Sequence, residues 1–225
     1  MQKGYLSLFL LATMLQAERF YLGIEGGYLG NYLHYDQVYT SYLSANEKRT
    51  KDLHRSTYGN GSILGIIMGN EYAFAKNKFK ARSIFFGGYG NNFYKHALTE
   101  EKTALTKIYA GFGGDAIWNF KLKPKKIEFG AFFGAAIQWS LLAPSKDFKI
   151  GSRGNEISDK GRAFYFDLRL GLTTLLNDHH RFEFLTKLSS TIKIKNQTNL
   201  QFKGKEELRI LNIPIEMLIS YKYLF

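Results

Sequence analysis

The sequence predicts an all-β fold, an eight-stranded antiparallel up-and-down β-barrel that crosses a membrane. Three observations lead there. From position 19 onward, eight stretches alternate apolar and polar residues with period two, as strands with two unlike faces do. The separations between these stretches are alternately long and short, as in a membrane barrel with long loops at one end and tight turns at the other. Tyr and Trp gather at the ends of the apolar faces, where a ring can be dry while its polar atom stays wet. Composition agrees: 16% of the 225 residues are aromatic and 22 are Gly. The chain has no Cys, which excludes a disulfide scaffold, a thiolate metal site and a cysteine nucleophile.

Residues 1–17 read as a secretory signal peptide and 18–225 as the barrel. Lys3 precedes an apolar run over 5–15, then Gln16 and Ala17 lead to the charged Glu18 and Arg19. The run is too short to cross a bilayer as a helix, and no later run approaches 18 apolar residues.

The first strand, 20–30, sets Phe20, Leu22, Ile24, Gly26 and Tyr28 on one face and Glu25 on the other. A polar stretch, 31–61, reads as the first and longest loop. The second strand, 62–74, opposes Leu64, Ile66, Met68, Tyr72 and Phe74 to Glu71, and 75–78 turns the chain. The third, 79–89, opposes Phe79, Ala81, Phe85 and Tyr89 to Lys80 and Arg82, before a loop over 90–104. The fourth carries Ile108, Ala110, Phe112, Ala116, Trp118 and Phe120 against Lys107 and Asp115, and a lysine-rich turn fills 121–126. The fifth sets Ile127, Phe129, Ala131, Phe133, Ala135, Ile137 and Trp139 against Glu128 and Gln138, and 140–162 is a third loop.

The sixth strand has the cleanest alternation, with Phe164, Phe166, Leu168, Leu170 and Leu172 opposing Tyr165, Asp167, Arg169 and Thr173. A turn at 177–181 leads to the seventh, where Phe182, Phe184, Leu188 and Ile192 oppose Glu183, Lys187 and Lys193. A fourth loop, 195–209, precedes the last strand, which carries Leu211, Ile213, Ile215, Met217, Ile219, Tyr221, Tyr223 and Phe225 against Glu216 and Lys222. Pro214 lacks an N–H and is expected at a bulge.

Periodicity alone does not say which face is inside, and a soluble barrel also alternates. The charges argue for a membrane barrel with a polar lumen. The acidic Glu25, Glu71, Asp115, Glu128, Asp167, Glu183 and Glu216 are matched in number by Lys80, Arg82, Lys107, Arg169, Lys187, Lys193 and Lys222. Matched charges suit a packed interior, because an isolated buried ion is costly. In hydrocarbon every backbone polar group must pair, so strands must close into a ring.

The segments Phe20-Tyr21-Leu22-Gly23 and Gly26-Gly27-Tyr28, with Ile213-Pro214-Ile215-Glu216 leading to Tyr221-Lys222-Tyr223-Leu224-Phe225, resemble a bacterial outer-membrane β-barrel family, the Helicobacter-type outer membrane proteins. The resemblance implies location in the cell outer membrane. It also implies that Tyr221, Tyr223 and Phe225 form the C-terminal signal that the barrel-assembly machinery reads. Large adhesins of that family carry an extracellular domain with paired cysteines, which this chain lacks.

The net charge of +12 falls mainly in turns and loops, where it would favour outer-membrane lipid and the phosphates of lipopolysaccharide. Nucleic acid is not expected as a partner of an exported protein, and no host or surface ligand is identified. His179-His180 could touch a metal, but neighbours in an extended segment point opposite ways, so no metal site is assigned. His34 or His54 with Ser41, Ser44 or Ser56 and Asp36 could imitate the apparatus of an outer-membrane lipid-modifying hydrolase, which needs a base and nucleophile held at about 3 Å. Gly87-Gly88-Tyr89-Gly90 and Gly111-Phe112-Gly113-Gly114 lead into no helix, so no phosphate cradle and no cofactor are assigned. The expected role is non-catalytic, structural or surface-interacting through four extracellular loops. A small porin-like channel is the alternative.

Overall fold

The computed structural model describes residues 19–44, 47–74, 79–95, 102–120, 127–144, 149–150, 155–156, 161–191, 194–200 and 204–225. The segment read as a signal peptide, the turns 75–78 and 121–126, and Lys193 lie outside them. The strands are β1 (Arg19–Ser44), β2 (Glu47–Phe74), β3 (Phe79–Lys95), β4 (Lys102–Phe120), β5 (Ile127–Pro144), β6 (Lys149–Ile150), β7 (Asn155–Glu156), β8 (Gly161–Leu176), β9 (His180–Thr191), β10 (Ile194–Leu200) and β11 (Gly204–Leu224). The sheet runs β1-β2-β3-β4-β5-β8-β9-β11 with every neighbour pair antiparallel, and β1 pairs β11 to close the ring. β10 continues the line of β9 along β11, and β6 and β7 form a small separate hairpin. The result is a closed eight-stranded antiparallel barrel.

Alternation decides what each side chain meets. In β8, Phe164, Phe166, Leu168, Leu170 and Leu172 are exposed on the outer surface, while Tyr165, Asp167, Arg169 and Thr173 between them are buried in the lumen. The same apolar-out pattern runs around the ring, with Ile24, Leu64, Phe112, Phe133, Phe184 and Ile219 all exposed. Such a surface is untenable in water and ordinary against lipid. Tyr28 and Tyr89 toward one end, and Trp118 and Tyr223 toward the other, are exposed among these apolar residues.

The lumen is not purely ionic. Tyr21, Leu29, Ile63, Ile67, Ile84, Phe86, Tyr109, Ile117, Phe132, Leu185 and Leu218 are buried in one apolar cluster beside the charges. An eight-stranded interior is only wide enough for side chains to fill, and apolar bulk fills what charge does not.

The long-loop end departs from expectation. The polar stretch 31–61 is mostly strand: β1 and β2 pair from Arg19↔Glu71 up to Ser44↔Glu47. At 26 and 28 residues, both far exceed the roughly 10 residues that a tilted strand needs to cross hydrocarbon. β11 follows β1 as far as Ser41↔Gly204, so 204–209 are strand rather than loop. β3 follows β2 only to Tyr94↔Gly59. One wall of the barrel therefore stands taller than the rest. A strand above the membrane need not be apolar on either face, and that is why periodicity missed it.

Pro214 makes no bulge in the closing ladder, where Asn31↔Pro214 sits within a continuous register. It falls instead between the end of the β9–β11 pairing at Ile215↔Leu188 and the start of the β10–β11 pairing at Ile194↔Ile210. A residue without an N–H is well placed where the ladder is interrupted.

Candidate functional site in the barrel lumen

Register carries the charges around the ring. Cross-strand neighbours run from Glu71 on β2 to Arg82 on β3, Asp115 on β4, Gly134 on β5, Arg169 on β8, Lys187 on β9 and Glu216 on β11. This belt is buried along its length. Gly134 keeps it open, because a Cβ there would collide with the Asp115 carboxylate and the Gly114 carbonyl.

The centre of the belt is Arg82. Its Nε donates to Asp115 Oδ2 at 3.1 Å, and its terminal nitrogens donate to Asp115 and Glu183. Glu183 also accepts from Lys222. Arg169 Nε donates to Asp115 Oδ1 at 3.2 Å. Toward the long-loop end, Lys107 donates to Glu216 Oε1 at 2.8 Å and Lys187 lies 2.6 Å from Glu216 Oε2. Lys187 also donates to Gln138 at 2.9 Å and stands 3.7 Å from Asp167. Toward the short-turn end, Arg181 donates to Glu71 at 3.0 Å, and Lys80 donates at 2.9 Å to Glu128, which is partly exposed.

Aromatic faces line the cations. The Arg82 guanidinium is 5.0 Å from the Phe132 ring centre, Lys187 is 4.9 Å from Phe86, and Lys107 is 5.2 Å from both Tyr109 and Tyr165. Cation and ring attract most where both are dry. Shared carboxylates and aromatic faces thus compensate charges that burial would otherwise make prohibitive. Glu25 and the far end of Arg169 are less well compensated. Both Glu25 oxygens and both terminal Arg169 nitrogens are buried without a hydrogen-bond partner among the described residues.

Arg181 was missed as a lumenal residue because the turn was read as 177–181. The turn is shorter: Asn177 and Asp178 take φ of 50° and 63°, and β9 starts at His180. Strand parity with Glu183 was the available signal. With Arg181 counted, lumenal acids and bases are equal in number among the described residues.

The other candidates lie elsewhere. His34 is in register with Ser56, and Asp36 with His54, on the tall β1–β2 arm. His179 and His180 both direct Nδ1 at β11, to the Leu224 carbonyl at 2.8 Å and the Tyr221 hydroxyl at 2.9 Å. The two glycine motifs lie within β3 and β4. Among the described residues, no three His, Cys, Asp or Glu side chains are grouped to hold a metal.

A closed ring of strands, apolar outside and ion-paired within, defines a transmembrane barrel of the bacterial outer membrane. The chain belongs to the family described as Helicobacter outer membrane protein, whose sequence profile matches residues 65–224. Among solved structures it is similar to the outer membrane protein OprG from Pseudomonas aeruginosa, with 14% identity, 92% of this chain and 97% of that one covered, and a TM-score of 0.48. It is also similar to Neisserial surface protein A, with 10% identity, 89% and 99% covered, and a TM-score of 0.38. A third is the outer membrane protease OmpT from Escherichia coli, with 8% identity, 93% and 97% covered, and a TM-score of 0.38. No curated protein sequence matches the chain.

Proposed function

We propose that this protein is a non-catalytic outer-membrane barrel whose packed lumen makes it a rigid post for the strands and loops at its long-loop end, which carry a structural or surface-interaction role. The observation that carries this reading is the lumen itself. Arg169, Arg181, Tyr21, Tyr165, Lys187 and Lys222 are its largest fully buried side chains, and ion pairs tie opposite walls together. An interior so filled is suited to holding shape rather than passing solutes. Lipid and the phosphates of lipopolysaccharide are the surrounding partners, in keeping with the basic balance of the chain. Residues 1–17 serve export, and Tyr221, Tyr223 and Phe225 serve as the signal to the barrel-assembly machinery.

The second reading is a small channel. Glu25 favours it, since a carboxylate with no hydrogen-bond partner among the described residues gives up none when it moves. Conductance of the purified protein in planar lipid bilayers separates the two. Closed traces across about ±100 mV support the post. Regular single-channel steps that change size in Glu25→Ala would replace it with the channel.

A further inference from the structure

Every pairing in the ring but one joins a strand to the next ring strand along the chain. The exception is β1 with β11, which brings Tyr21 to Leu224 and closes a loop of nearly the whole chain. Such a contact costs the most entropy to make and is the natural place for the barrel to open. One feature is built across this seam at the short-turn end.

The β8–β9 turn is tight, with His179 N donating to Leu176 O at 3.2 Å. From it, the His179 carbonyl accepts from Leu224 N at 2.8 Å, while His179 Nδ1 lies 2.8 Å from Leu224 O. The His179 ring stacks on Tyr223 with centres 5.6 Å apart and planes 12° from parallel. His180 Nδ1 meets the Tyr221 hydroxyl at 2.9 Å, and its ring stands edge-on to Tyr223 at 5.4 Å. On the far side of β11, Phe225 N donates to Phe20 O at 2.9 Å and the two rings lie 5.8 Å apart. Finally, Arg19 at the start of β1 reaches over β11 and donates to the Asp178 carbonyl at 2.8 Å.

The turn therefore grips both strands of the seam, β11 through the two histidines and β1 through Arg19. The histidine contacts need only β9 and β11 to have paired, whereas the Arg19 contact cannot exist until β1 and β11 have met. We propose that this turn is a closure latch: seated on β11 by its two histidines, it catches Arg19 of β1 when the ring forms and then holds the β1–β11 seam shut. It needs no outside partner, so it stands or falls independently of the surface role and of the assembly signal.

Hydrogen exchange followed by mass spectrometry on the folded full chain in detergent micelles tests it. In His179→Ala/His180→Ala, amides of 218–225 and of the facing 20–24 should exchange about tenfold faster or more, the order expected from losing hydrogen bonds that oppose local opening. Amides of β4 and β5 should be unchanged. His179→Asn keeps a donor near the Nδ1 position and should restore part of the protection. Arg19→Ala leaves both histidines in place and should give a smaller rise confined to the same segments, which keeps the idea testable if the double variant does not fold. Unchanged exchange at 20–24, a rise that stops at β9 and β11, or an equal rise in every strand would overturn the latch.

Discussion

The Phe86 ring on β3 lies over Gly111 on β4, filling the space where a side chain would otherwise stand. A Cβ at Gly111 would also approach the Ile137 carbonyl to 2.6 Å, and that backbone oxygen belongs to a ladder and cannot step aside. Gly111→Ala should therefore destabilise the barrel by about 1–3 kcal/mol through overpacking. The midpoint of urea unfolding in micelles measures it, and an unchanged midpoint would mean that both Phe86 and the Ile137 carbonyl can give way.

Removing Arg82 leaves Asp115 and Glu183 buried with a large part of their compensation gone. Arg82→Met should cost about 3–5 kcal/mol, the range for breaking one side of a buried pair. Adding Glu183→Gln removes a stranded charge, so the double variant should lose less than the sum of the single losses. Additive losses in a double-mutant cycle would show that the two groups are not coupled.

Leu168 faces outward between the lumenal Asp167 and Arg169. Leu168→Arg should cost roughly 2–4 kcal/mol in vesicles if the outer face meets hydrocarbon near mid-bilayer. The penalty should shrink for the equivalent change at Tyr28, where a long side chain can reach headgroups. Equal penalties at the two positions would contradict the depth assignment.

Tyr21 sends its hydroxyl from the lumen to the Ser83 carbonyl at 2.7 Å, beside a point where Asn70 N bonds Ser83 Oγ rather than a backbone oxygen. The hydroxyl thus covers a gap in the β2–β3 ladder, which lacks pairs between Met68↔Phe85 and Glu71↔Arg82. Tyr21→Phe should cost about 1 kcal/mol or more, with faster amide exchange confined to 69–70 and 83–84. Exchange that stays slow there would assign the gap another cover.

How much of this was legible follows from where physics acts on the sequence. In β8, hydrocarbon on one side and ion pairs on the other write a strict two-residue period, and the strand can be read directly. In β2 and β3 the reading is harder, because lumenal Ile63, Ile67, Ile84 and Phe86 make both faces apolar. Above the membrane the period vanishes, and the upper half of the β1–β2 arm looked like a loop. Which acid meets which base was not legible, since Arg82 and Glu183 are brought together by the ring's curvature and not by spacing. The latch hid in plain view: His179-His180 was weighed as a metal ligand, but its partners, Tyr221 and Leu224, are neighbours only in space.

The belt of lumenal charge has one further consequence. Among the described side chains, the β1–β2 hairpin contributes only acids to the interior, Glu25 and Glu71, whereas β3–β4 brings Lys80, Arg82 and Lys107 against Asp115 alone. Taken singly, the hairpins are electrically lopsided, and an unfinished stave would present naked charge to oil. Neutrality belongs to the completed circle, so a half-built wall gains little by lingering in the bilayer and insertion favours all-or-none completion.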